Sequence, residues 1–251
     1  MTNQIANQRI ADAIASNTQR SSLNGNRLTG ALLMIVPLVF TLVFTLLGTS
    51  FEYPDILRKP VAYVLERFAA GGPGLVAMWY GMFASALVFT AIPTLTRKLF
   101  PERSTSLDLG VTFGVLAGLV QALGFARWVF LVPALAATNA NPSSSEATRA
   151  AVGVVFDAFN RYAGIGVGEH LGYLFTALWT LSIAIPLLQR SRLLGVTGAV
   201  FAIGILAGLL EPFGFGWAGS VNAIAYIAWS VWMVAFGITI WRAAKPATIN
   251  R

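Results

Sequence analysis

The chain has no cysteine, one histidine and few charges: of 251 residues, only 11% are Asp, Glu, Lys or Arg. Without thiols there are no disulfides, thiolate metal sites, iron–sulfur clusters or cysteine nucleophiles, and the redox compartment stays open. A single histidine excludes a bis-histidine haem within the chain. The charge deficit excludes an ordinary soluble surface, which carries about 25% charged residues. In their place the sequence has 56% hydrophobic residues, gathered in runs of about 20 with at most one charge each, the length that crosses a ~30 Å hydrocarbon layer.

These runs cover 28–47, 75–95, 109–133, 164–188, 193–210 and 218–241. They predict an all-α membrane protein of six transmembrane helices, with an arm at 1–27, a membrane domain at 28–241 and a tail at 242–251. The arm has no apolar h-region and so does not read as a cleavable signal peptide. The formal net charge is +7, but the basic residues flank apolar runs, which is a topology signal rather than a nucleic-acid footprint. With both termini on one side, eleven basic residues fall on that side, from Arg9 to Arg251, against Arg58, Lys59, Arg67, Arg149 and Arg161 on the other. The bias predicts cytoplasmic termini.

The two long outer connections read as amphipathic surface helices. Leu57, Val61, Val64 and Phe68 share one face of the first. In the second, Ser143 to Glu146 has capping-box spacing, Val152, Val155, Phe156 and Phe159 form an apolar stripe, and Asp157 can pair with Arg161 at i, i+4. An internal repeat is also suggested: 116–125 and 206–215 agree at six of ten positions, and Tyr173 and Trp179 share the spacing of Tyr226 and Trp232. Duplicated helical hairpins would follow.

Polar groups inside the spans carry the functional signal, since each charge costs about 2.5–3.5 kcal/mol at a helix centre. Gln121 falls near the middle of the third span, and Arg127 about 9 Å further out. Glu169 and His170 fall in the outer third of the fourth span, Glu211 at the outer end of the fifth, and Asn222 at the outer start of the sixth. Tyr173 is one turn from Glu169, and Trp128 follows Arg127. The packing explanation makes these groups interhelical hydrogen bonds plus an ion pair of Arg127 with Glu169 or Glu211; the functional one makes them the lining of an outward-facing pocket. Glycines at 164, 166 and 168 precede the Glu169–His170 pair and read as a close-packing or irregular stretch rather than a nucleotide loop.

One histidine beside one carboxylate gives a poor metal site. No G-x-S-x-G occurs, and Ser220 is only a distant partner for His170. Proton relay, or haem or quinone chemistry with His170 as ligand or relay, suits the residue types better.

The Phe159-Asn160-Arg161-Tyr162 stretch, the Gly168-Glu169-His170-Leu171-Gly172-Tyr173-Leu174 segment and the six-span layout together resemble a bacterial family of multi-pass membrane proteins described only as a domain of unknown function. The resemblance implies an all-helical fold in the bacterial cytoplasmic membrane and draws attention to Glu169 and His170, with no substrate or catalytic role attached. Three functions remain open. The first is binding or transport of a small or lipid-like molecule by a pocket of Arg127, Glu169, His170, Glu211, Gln121, Asn222, Tyr173 and Trp128. The second is a redox enzyme. The third is an accessory subunit that docks a membrane-protein partner, for which Ile5, Ile10 and Ile14 would supply a helical stripe.

Overall fold

In the computed structural model, backbone is described for residues 2–244 and side chains for 23–244. The Ile5, Ile10 and Ile14 stripe and the charges of Arg9, Asp12, Arg20, Lys245 and Arg251 therefore lie outside the described residues. Among those described, six helices are long and apolar enough to cross a membrane: α1 (Leu23–Phe51), α2 (Val61–Arg97), α3 (Thr105–Ala140), α4 (Glu146–Arg190), α5 (Arg192–Phe213) and α6 (Ala218–Ala243). Each packs on its chain neighbours, and α1 closes the ring against α6. The end of the bundle at 97–105, 190–192 and 244 is called the terminal face below, and the opposite end the distal face.

The two faces are built differently. The core of the terminal half takes residues from all six helices, including Leu33, Phe89, Ala117, Trp179, Ile205 and Trp229. Its tryptophans are anchored: the Trp229 indole donates to Thr180 Oγ1 at 2.8 Å and that of Trp232 to the Leu194 carbonyl at 2.9 Å. The distal core draws only on α1–α4 and the 52–60 connection, with Phe51, Ile56, Phe68, Trp79, Trp128 and Phe156 among its members. Neither α5 nor α6 contributes to it.

Helix length explains the difference. At about 1.5 Å per residue, α5, with 22 residues, barely spans a bilayer, whereas α2, α3 and α4 run to 37, 36 and 45 residues. Their extra turns cover the distal face. In α2 the cover is made by a break: Gly72 takes φ 56°, ψ −154°, a conformation open essentially to glycine, and Pro73 restarts the helix. The 61–71 segment is thereby set off, with Val64 and Phe68 turned into the core, as the sequence predicts. The second surface helix is instead continuous with its span. It is capped by Ser145, whose hydroxyl accepts from the Thr148 N–H, two residues later than the capping-box spacing suggests. Val152 and Phe156 are buried, Val155 and Phe159 exposed, and Arg161 pairs with Asp157 at 2.8 Å.

The segments of the suggested repeat adopt different conformations. Residues 116–125 lie in regular α-helix, whereas Ala207–Phe213 is a 3-10 helix, with Pro212 inside it, that ends at the left-handed Gly214.

Helices α3 and α4 approach each other backbone to backbone. A Cβ on Gly124 would meet the Gly168 Cα at 2.8 Å, and one on Gly168 would meet the Gly124 Cα at 2.9 Å. Gly153, also on α4, has nothing within 4 Å of that position. Gly168→Ala is accordingly expected to destabilise the protein by about 1–3 kcal/mol through backbone displacement. Gly153→Ala should be neutral or stabilising by up to about 1 kcal/mol. Unfolding of both variants in the same detergent checks the pair; equal effects would contradict the close approach.

Candidate functional site

The polar residues of the distal half are positioned by two departures from α-helix. Residues Arg127–Leu131 of α3 and Asn160–Leu171 of α4 are π-helical. In α3 the cause is Pro133: it has no N–H and crowds the carbonyl four residues back, so the preceding turn widens. In α4 the stretch holds Gly164, Gly166 and Gly168, whose weak helix preference lowers the cost of the change.

These two stretches hold Arg127. Its side chain is 7% exposed. One guanidinium nitrogen donates to the Gly124 carbonyl and another to Asn160 Oδ1 at 3.1 Å, while the guanidinium carbon lies 5.2 Å from the Trp128 ring centre. Gly164 makes the room, since a Cβ there would stand 2.5 Å from Nη2. Among the described residues the expected ion pair does not form: no carboxylate there lies within 4.0 Å of Arg127, whose bonded partners are neutral. Glu169 interacts with Arg127 only through longer-range electrostatics, and with Glu211 in the same way.

Around Glu169 the structure gathers Tyr173, which the sequence marks, and two tyrosines that it does not mark as site residues, Tyr226 and Tyr53. Tyr173 and Tyr226 meet with ring centres 5.7 Å apart, and the Tyr226 phenol interacts with the Thr176 hydroxyl. Tyr53, in the connection before α2, sets its ring edge-on to Trp79 at 5.0 Å. Burial pushes the Tyr53 phenol well above its ordinary range, and the Glu169 carboxylate raises it further against the opposing pull of Arg127. Tyr53, Arg127, Glu169, Tyr173, Glu211 and Tyr226 thus form a polar seam between the distal core and the distal ends of α5 and α6. Glu169, Tyr173 and Tyr226 are half-buried in it and Glu211 is exposed.

The remaining predicted residues are placed elsewhere. Gln121 bridges α3 to α4, donating to the Ala117 carbonyl at 3.1 Å and Thr176 Oγ1 at 3.3 Å. Asn222 is buried and donates to the Ile205 carbonyl at 2.7 Å, tying α6 to α5. Both are occupied by helix packing. His170, next to Glu169 on α4, is half-buried. Trp128 is fully buried and stacks on Trp79, ring centres 4.6 Å apart. Asn160, missed as a site residue, lies at i−4 from Gly164, and Gly164, Gly168 and Gly172 repeat that spacing; this four-residue period was its one sequence signal. A separate groove of about 500 Å³ on the distal face, lined by Val61, Leu65, Glu66, Asn139 and Arg149 among others, takes in none of the predicted residues.

Asn160 supplies the one side-chain acceptor bonded to a buried guanidinium. Asn160→Ala should therefore cost about 1.5–3 kcal/mol, whereas Gln121→Ala should cost about 0.6 kcal/mol. Asn160→Asp, which places a carboxylate against Arg127, should restore most of the loss. Thermal unfolding of the three variants measures the order, and an Asn160→Ala protein as stable as Gln121→Ala would contradict it.

Neither a curated protein nor a solved structure matches the chain. One family model does, over residues 28–238, and its description is a domain of unknown function, DUF4386. That match covers all six spans and both π-helical stretches, so the chain belongs to the DUF4386 family of unknown function.

Proposed function

We propose that this protein is a multi-pass protein of a bacterial cytoplasmic membrane, with cytoplasmic termini, that binds or transports an amphiphilic small molecule at the distal polar seam. The observation that carries this reading is the gathering of Glu169, Tyr173, Tyr226 and Tyr53 beside a buried Arg127. Stability alone does not call for such a group: polar side chains inside a membrane are expensive, and those that serve packing are already bonded, as Gln121 and Asn222 are. Tyrosine rings offer flat apolar contact with a polar tip, the combination that suits a molecule with an apolar body and a polar end.

The seam lies between a rigid distal core and the ends of two shorter helices. A ligand there would have its apolar part against Tyr173 and Tyr226 and its polar end toward Glu169 and Arg127. Glu211, exposed at the end of α5, would meet it from the distal side. The charge bias of the loops supports the orientation, with the seam opening away from the cytoplasm.

Gently extracted protein examined by native mass spectrometry is expected to retain a small-molecule adduct. Combining Glu169→Gln with Tyr173→Ala should remove most of that adduct, while Gln121→Ala leaves it in place. Equal retention by all three proteins would overturn the assignment of the seam. A reporter active only in the cytoplasm, fused after Arg251, should be active; an inactive fusion with an intact chain would reverse the topology.

A further inference from the structure

Three N–H groups in the distal core have no acceptor among the described residues: Arg127 Nε, Trp79 Nε1 and Trp128 Nε1. Their side chains are 7%, 0% and 0% exposed, and they form one contact set. The guanidinium carbon of Arg127 lies 5.2 Å from the Trp128 ring centre, and the two indoles stack 4.6 Å apart, within 8° of parallel. Phe51, Phe68 and Phe125 pack around the pair. Buried donors in native proteins are almost always satisfied, by protein, ordered water or a bound group. Core packing accounts for the rings but not for their N–H groups, because phenylalanine would fill the core without a donor to satisfy.

Two arguments select the acceptor. The first is charge. Arg127 stays protonated, and both of its bonded partners are neutral. Glu169 faces it only at longer range, with Glu211 as a second carboxylate repelling Glu169. The second is hydrogen-bond character. Guanidinium and indole nitrogens only donate, so all three groups call for an acceptor and none can accept from one. A group that only accepts, and is negative, fits such a lining better than water.

We propose that Arg127, Trp79 and Trp128 form a binding site for a compact anionic acceptor, either a free halide or the carboxylate end of a lipid-like molecule. The same donors would serve both, as pairs of N–H groups serve carboxylates and halides generally. The site shares Arg127 with the seam, but a halide held by the two indoles and the guanidinium does not depend on the reading of the seam.

The test uses the purified full chain in detergent, unfolded thermally while chloride replaces isethionate at constant ionic strength, with decanoate in a parallel series. A saturable rise in melting temperature with chloride or bromide identifies a free halide as occupant. A rise with decanoate alone identifies a carboxylate head. Trp79→Phe and Trp128→Phe keep the rings and lose the donors, and each should weaken the apparent affinity about tenfold. No saturable response to any of the three anions would overturn the site, leaving water only. A response unchanged in both Phe variants and in Arg127→Gln would overturn it as well. If those variants do not fold, chloride NMR line broadening on the unaltered protein, relieved by bromide, gives the decision, and its absence also overturns the proposal when decanoate has no effect. Because inorganic anions are the first probe, failure here leaves amphiphile retention at the seam unaffected, and the reverse holds too.

Discussion

A guanidinium inside a lipid-embedded bundle constrains everything around it. Arg127 cannot shed its proton and carries a desolvation cost of several kcal/mol that hydrogen bonds must offset. Its nearest bonded acceptors come from two helices, Gly124 on α3 and Asn160 on α4. Those helices must therefore stay within bonding distance along the distal half, and glycine is what permits it. The Gly124–Gly168 contact brings backbone against backbone, and Gly164 leaves space for the guanidinium itself. Lipid supplies no hydrophobic force to drive helices together, so packing and hydrogen bonds do that work.

The π-helical stretches follow from the same constraint. Widening a helix turns side chains to new angles and shifts the alignment of everything after it. In α3 the Arg127–Leu131 stretch ends just before Pro133; in α4 the Asn160–Leu171 stretch runs from the Arg127 acceptor to the residue after His170. Glu169 and His170 are adjacent within that stretch, and both are half-buried. Neighbouring residues on a helix point about 100° apart, so adjacency in sequence is weak grounds for a shared role.

Much of the fold was legible because lipid imposes simple rules: apolar runs of sufficient length became helices, and the first surface helix was visible from its apolar face. The site was less legible. Arg127, Glu169, Tyr173 and Glu211 stood out as costly polar residues within spans, and the structure brings them into one neighbourhood. Tyr53 and Tyr226 did not, because a tyrosine near a span end has the ordinary explanation of an interfacial aromatic. Asn160 was hidden differently: it sat in a segment read as a surface helix, and its role depends on α4 continuing unbroken into the membrane. The expected Arg127 ion pair is absent among the described residues because a backbone carbonyl and a neutral amide lie within bonding distance of the guanidinium and no carboxylate does. The helix repeat failed as a guide to conformation because Pro212 removes a backbone donor in one copy and not in the other.

The position of the seam is itself a consequence of unequal helix lengths. All six helices share the core of the terminal half, and its buried indoles at Trp229 and Trp232 have acceptors. In the distal half α2, α3 and α4 continue, fold over and pack on one another, while α5 stops at Phe213 after a 3-10 turn. The ring can no longer be filled from all sides there, and the distal core closes without α5 or α6. At this boundary Tyr173 of α4 packs on the edge of the six-helix core and against Tyr226 of α6. A polar group at that boundary keeps access to the distal face without facing the hydrocarbon on every side. Both the polar seam and the tryptophans with unpaired N–H groups are found in this half, where the helices end at different heights and packing is least symmetric.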